Sequence, residues 1–248
     1  MTSQEMPREL VALLKQLRAE YPQALVVSAE CSPIDPAEPL LGHFVRAFLM
    51  WESTAAKAAT AMKRIEQSVV DFNELRVCMP GELVRLMGER YPRVEERARR
   101  LRSALNGIYT REHRVSLERL GEMSKRESRE YLETLESTPR YVAARVALVG
   151  LSGHMAPIDG RMLRRLVERH IVEADATPET AAASLERKVR AAEMPECYAL
   201  LQAWSDDGAH EVAEAARVPA PAGAKPEPRK PGPKPKDMKP KGRPEAKK

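Results

Sequence analysis

Apolar residues along this chain recur at three- and four-residue spacing, and no stretch alternates apolar with polar long enough to make a strand. Leu10, Leu13, Leu14 and Leu17 mark one face of a helix over 4–20, which ends before Pro22. A proline-bearing connector over 22–39 follows. Residues 40–52 are densely apolar (Leu41, Phe44, Val45, Phe48, Leu49, Met50), the pattern of a buried helix. Ser53 and Thr54 offer a cap for an alanine-rich helix over 55–70. Pro80 and Gly81 divide 73–90 into two short turns, and Val94, Ala98, Leu101, Leu105 and Ile108 stripe a charged helix over 93–109. Two amphipathic segments, 127–134 and 140–150, flank a tight connection over 135–139. Further helices are expected over 160–172, over 178–192 behind the Thr177-Pro178-Glu179 start, and from Pro195 through Trp204. The pattern predicts an all-α fold.

Composition sharpens this picture. Aromatics are 4% of the chain against 43% apolar residues, so the core must rest on Leu, Val, Ala and Met, which suits packed helices. No run approaches the ~18 apolar residues of a membrane span, and MTSQEMPREL lacks the regions of a signal peptide; no membrane partner is expected. Three scattered cysteines (Cys31, Cys78, Cys197) fit free buried thiols in a reducing cytoplasm and give no metal-ligand spacing. The net charge of +5 is unevenly placed: ten Lys or Arg against three acids lie beyond residue 224, which leaves residues 1–224 slightly acidic. From about Val218 the chain turns to Pro, Lys, Ala and Gly without periodicity. Two regions follow, a helical body over 1–217 and a disordered basic tail over 218–248. Within the tail, Lys241, Gly242 and Arg243 between prolines could lie in a narrow minor groove, or could hold any polyanion loosely.

The segment 124–170 carries the candidate chemistry: a helical hairpin, a loop with Gly153, His154 and Pro157, then Asp159 opening a helix. This order of elements resembles the endonuclease III-type (helix-hairpin-helix) DNA glycosylases over roughly residues 38–205. The resemblance implies a two-lobed helical fold whose cleft receives duplex DNA. It also implies that Asp159, eighteen positions after Tyr141, stabilises positive charge on the deoxyribose or activates a water there. Asp159 would equally serve as a plain N-cap. Tyr141 stands in the slot of the family's Schiff-base lysine, and a phenol cannot form that intermediate, so strand-cleaving lyase chemistry is not expected.

The hairpin slots hold Leu135, Glu136, Ser137, Thr138 and Pro139 where the family has two glycines, which predicts weaker phosphate binding through Ser137, Thr138 and Arg140. Trp51, Glu52 and His154 are pocket candidates, each with an ordinary structural alternative. Four cysteines for an iron–sulfur cluster are wanting, so no cofactor is expected. The resemblance thus implies a monomeric DNA-binding protein of base-excision type, cytoplasmic and nucleoid-associated if bacterial. It would be a monofunctional N-glycosylase or an inactive relative with a basic tail. A helical scaffold whose tail binds nucleic acid or acidic proteins is the third reading.

Overall fold

The computed structural model describes residues 6–24 and 34–215, with side chains through residue 208. Among the described residues every regular element is helical. In chain order these are α1 (Arg8–Glu20), α2 (Pro39–Met50), α3 (Ala55–Glu66), α4 (Phe72–Val77), α5 (Pro80–Met87) and α6 (Val94–Glu112). A 3-10 turn (Glu118–Gly121) leads to α7 (Lys125–Glu133) and α8 (Arg140–Arg145), which runs into a π turn (Val146–Gly150). The chain then forms α9 (Gly160–Glu168), α10 (Pro178–Lys188) and α11 (Met194–Ala215). None is long and apolar enough to cross a membrane. The proposed tail over 218–248, with Lys241, Gly242 and Arg243, lies outside the described residues, as does Cys31. Cys78 and Cys197 are free thiols; Cys197 is buried, whereas Cys78 is only half-buried.

The most apolar helix sits at the centre. Nine of the twelve residues of α2 are buried, and α2 packs on α3, α6, α8 and the π turn. Such a helix has no polar face and must be covered on all sides. Helices α2 to α8 form one lobe. Helix α1 returns to the other, where it packs on α11, and α11 also packs on α9. Arg18 donates two 2.7 Å hydrogen bonds to the Glu196 carboxylate, and Tyr21 Oη donates to Asp207 at 2.6 Å, so the C-terminal end of α1 is tied to α11.

Local chemistry sets the helix ends. Thr54 Oγ1 accepts from Lys57 N, Ser124 and Glu127 form a reciprocal capping box, and Thr177 caps α10 before Pro178. The second hairpin helix departs from the regular pattern that its sequence predicts. After Arg145 it widens into the π turn, and Ala147 O accepts from both Leu151 N and Gly153 N. That wider turn bends the chain back and carries the loop 151–159 inward, where Met155, Ala156 and Ile158 are buried.

Candidate interlobe site

The two lobes meet where the turn between α2 and α3 (Trp51, Glu52, Ser53, Thr54) faces the start of α9 and one side of α11. Four hydrogen bonds stitch this seam. Glu52 N donates to Asp159 Oδ2 at 3.0 Å, and Gly160 N donates back to Glu52 Oε1 at 2.8 Å. Ala55 N donates to Asp206 Oδ2 at 2.8 Å, and Arg161 Nη1 donates to Ser53 O. Glu52 holds a left-handed φ of +52°, which aims its N–H and its carboxylate at α9 together. A Cβ on Gly160 would come within 2.8 Å of Glu52 Oε1, so only glycine lets the carboxylate sit on the helix end undisturbed.

Asp159 is the centre of the seam. Its Oδ1 accepts from Arg161 N at 3.0 Å and Met162 N at 2.9 Å, the N-cap arrangement expected at the positive end of a helix dipole. With the Glu52 N–H, its carboxylate takes three backbone donors. Those bonds favour the charged form, but burial outweighs them and the nearby Glu52 carboxylate adds to burial, so the pKa rises to about 6. Asp159 is 2% exposed.

Tyr141 lies deeper, in a run of polar groups that crosses the helical core. Arg145 Nε donates to Tyr198 Oη at 2.9 Å, and Tyr198 Oη lies 3.0 Å from Tyr141 Oη. Tyr141 Oη donates to Gln202 Oε1 at 3.0 Å, and Gln202 Nε2 to Asp206 Oδ1 at 2.8 Å. Because Tyr141 spends its proton on Gln202, Tyr198 must donate to Tyr141, which gives the chain one direction. Arg161 Nη2 closes it, donating to Asp206 Oδ1 at 2.9 Å and to Ser205 O at 2.8 Å. Burial holds the Tyr141 phenol well above its ordinary pKa, so it remains a neutral donor. Tyr141→Phe is expected to cost about 2 kcal/mol in urea denaturation, because Gln202 Oε1 loses its close donor inside the core. Tyr198 stands 3.5 Å from that oxygen and can only partly replace the bond.

Trp51 and His154 serve neighbouring structure. Trp51 is buried against arginines at the start of α6, with the guanidinium carbons of Arg93, which precedes the helix, and of Arg97 and Arg100 on it between 5.2 and 5.5 Å from its ring centroid. Arg97 is fully buried. Its Nη2 donates to Trp51 O at 2.5 Å and Pro92 O at 3.1 Å, and its Nη1 to Phe48 O, so it caps the last turn of α2. His154 pairs through Nε2 with Val189 O at 3.0 Å, which fixes the loop to the end of α10.

At the hairpin turn one residue is left-handed and the nearby arginine is paired with acids. Ser137 adopts a left-handed φ of +61° in a slot where the family pattern has glycine, and its Oγ donates to Ser103 Oγ at 3.0 Å on α6. Thr138 Oγ1 is buried without a partner. Arg140 is held between two acids, Glu133 at 3.3 Å and Glu186 at 3.6 Å, and Glu136 is exposed beside them.

The sequence reading did not single out Tyr198, Gln202 and Asp206. They recur every fourth residue on α11 among Cys197, Ala199, Leu200 and Leu201, and polar residues at that spacing on a buried face are the signal that could have found them. Beside Gln202 and Asp206 lies a mainly apolar cavity of about 290 Å³ bounded by Tyr21, Met50, Ala55 and Ala199.

No protein-family model matches the chain, and no curated protein matches it by sequence. Solved structures do. A trapped endonuclease III–DNA covalent intermediate, the estranged-adenine complex, is similar with a TM-score of 0.59 at 13% identity, over 82% of this chain and 85% of that one. A thermostable thymine-DNA glycosylase is similar with a TM-score of 0.52 at 13% identity, over 84% of this chain and 89% of that one. An iron–sulfur cluster, as the resemblance raises it, does not fit the residues present. Cys197 is buried with its thiol pushed up to about 12, and two other cysteines cannot complete four thiolates. The central buried α2, the helical hairpin over α7 and α8, the aspartate-capped α9 and the lobe of terminal helices together give this chain the fold of the endonuclease III-type DNA glycosylases.

Proposed function

We propose that the protein binds duplex DNA and removes a base from it as a monofunctional N-glycosylase. The observation that carries this reading is Asp159: a carboxylate at a helix N-terminus, in the seam between the lobes, with a pKa near 6 that leaves it ionised at neutral pH. In that form it stabilises the positive charge growing on the deoxyribose C1′ as the base departs, or takes the proton of the water that attacks C1′. The products are the free base and an abasic site. Tyr141 has no amine to form a Schiff base, so the strand stays intact, and no step uses an iron–sulfur cluster. On this reading the protein acts as a monomer in the cytoplasm, at the nucleoid if the source is bacterial, and residues 218–248 add backbone affinity.

One observation favours a second reading, a DNA-binding protein without catalysis. The bond from Glu52 N–H to Asp159 occupies its carboxylate, and the bond from Gly160 N–H to Glu52 closes the seam. The test is base release from duplex oligonucleotides carrying a panel of lesions, with wild type beside Asp159→Asn and alkali applied to reveal abasic sites. Release that the substitution abolishes supports the glycosylase. Salt-sensitive binding of both proteins without release on any lesion supports the binding-only reading.

A further inference from the structure

The hairpin is poorly equipped to hold a DNA backbone, so a protein that binds duplex must grip it elsewhere. Arg140 and Arg129 are each held by Glu133 and Glu186 within 3.6 Å. By contrast, a groove of about 330 Å³ between α3 and the turn joining α5 to α6 is lined by Lys57, Arg64 and Arg90, and no carboxylate lines it. All three cations are exposed, and among the described residues none forms an ion pair with an acid. Three like charges around one groove repel one another, and an anion seated among them turns that repulsion into attraction.

The groove is built. Arg64 Nη1 donates to Met87 O at 3.3 Å, which sets the guanidinium across the end of α5. Gly88 makes room for it: its φ is +99°, and a Cβ there would meet Arg64 Nη1 at 2.7 Å. Tyr91 Oη donates to Leu49 O at 2.7 Å, which anchors the opposite wall to the buried α2. Ala56 and Lys57, at the start of α3, follow directly on the turn that carries Trp51 and Glu52. One wall of the groove therefore begins within a few residues of the turn that closes the interlobe seam.

We propose that the groove of Lys57, Arg64 and Arg90 binds the phosphodiester backbone of duplex DNA and holds the duplex against the seam. The inference rests on the DNA-binding reading above and replaces the hairpin as the main phosphate contact. Duplex affinity of the full chain would be measured across a range of salt concentrations for wild type, Lys57→Gln, Arg90→Gln, the double variant and Arg140→Gln. Lys57 and Arg90 are exposed, and unchanged thermal unfolding verifies that these variants fold. Each lost phosphate contact flattens the slope of log K against log salt by about 0.9. The expected result is one such step for each groove substitution and two for the pair, with affinity down about tenfold for the pair on any sequence. Arg140→Gln should leave the slope unchanged.

If wild type binds duplex with steep salt dependence and the double variant keeps that slope, the groove is overturned while the DNA-binding reading stands. If wild type does not bind duplex, that reading falls and the groove falls with it. The same proteins would be tested on a single strand of the same sequence and on a nucleoside monophosphate. Weakened binding confined to either of those would assign the groove to a different ligand and overturn the proposal.

Discussion

Arg97→Ala should lower the unfolding free energy by about 4 kcal/mol, which for a chain of this size is a fall in Tm of roughly 10 °C. Arg97 is fully buried on α6, yet it meets no carboxylate; its hydrogen bonds go to the carbonyl oxygens of Phe48, Trp51 and Pro92. Burial lowers its pKa to about 10, which still leaves it charged at neutral pH. A cation at the end of α2 is stabilised by the helix dipole and satisfies carbonyls that no helical N–H can reach. Removing it strands those oxygens in the core, each a cost of about 1–3 kcal/mol, and leaves a hole beside Trp51 and Tyr91. Relief from burying a charge offsets part of the loss. Arg97→Met keeps the volume without the donors and should cost about half as much. Near-native stability of the alanine variant in denaturant titrations would contradict this role. The effect also bears on the site, because the carbonyl of Trp51 immediately precedes Glu52, and a loosened end of α2 frees the turn that closes the seam.

The second large effect concerns Asp159 and pH. The folded protein holds its carboxyl at a pKa of about 6, above the ordinary value of 3.8, so the native state binds the proton more tightly than the unfolded chain. Asp159 therefore contributes stability that is fully present below about pH 3.8 and is lost as pH rises through about 6. The full swing is about 3 kcal/mol. Groups shifted the other way, such as Glu196 beside Arg18, add an opposite trend, so the clean measurement is the difference between wild type and Asp159→Asn. The advantage of wild type over Asp159→Asn should be about 2.4 kcal/mol larger at pH 4 than at pH 7. A difference independent of pH would mean that the carboxyl titrates at its ordinary value. The proposed glycosylase reaction has the opposite dependence: it needs the ionised form, so base release should rise with pH through about 6.

Much of this architecture can be read from the chain, and the exceptions have physical causes. Helix starts marked by their own residues (Thr54, Asp159, Thr177) fall where the sequence puts them, because a cap is a local hydrogen bond, whereas the helix capped by Ser124 begins two residues before the expected 127. Helix ends are less legible. Helix α6 runs to Glu112, and α11 to Ala215, beyond the Trp204 expected from apolar spacing alone. The π turn after Arg145 depends on how the following loop folds back, a tertiary matter that helical periodicity does not encode. At the site, Asp159 was found by spacing within a resemblance. Its closure by Glu52 requires a left-handed backbone and a glycine 108 positions away, which no local pattern announces. The run through Tyr198, Gln202 and Asp206 was hidden because on one helix they look like scattered polar residues. Only packing against Tyr141 and Arg161 gives them a purpose.

The most direct test of the central claim is single-turnover incubation with a lesion duplex that the panel shows to be a substrate, split into three portions. One portion is analysed as it stands, one after alkali and one after borohydride, which reduces a Schiff base to a permanent adduct. A monofunctional glycosylase that works through Asp159 gives strand breaks only after alkali, no protein–DNA adduct with borohydride, and loss of all release in Asp159→Asn. Breaks without alkali together with a trapped adduct would show an amine nucleophile at work in spite of Tyr141. Undiminished release by Asp159→Asn would remove Asp159 from the reaction altogether.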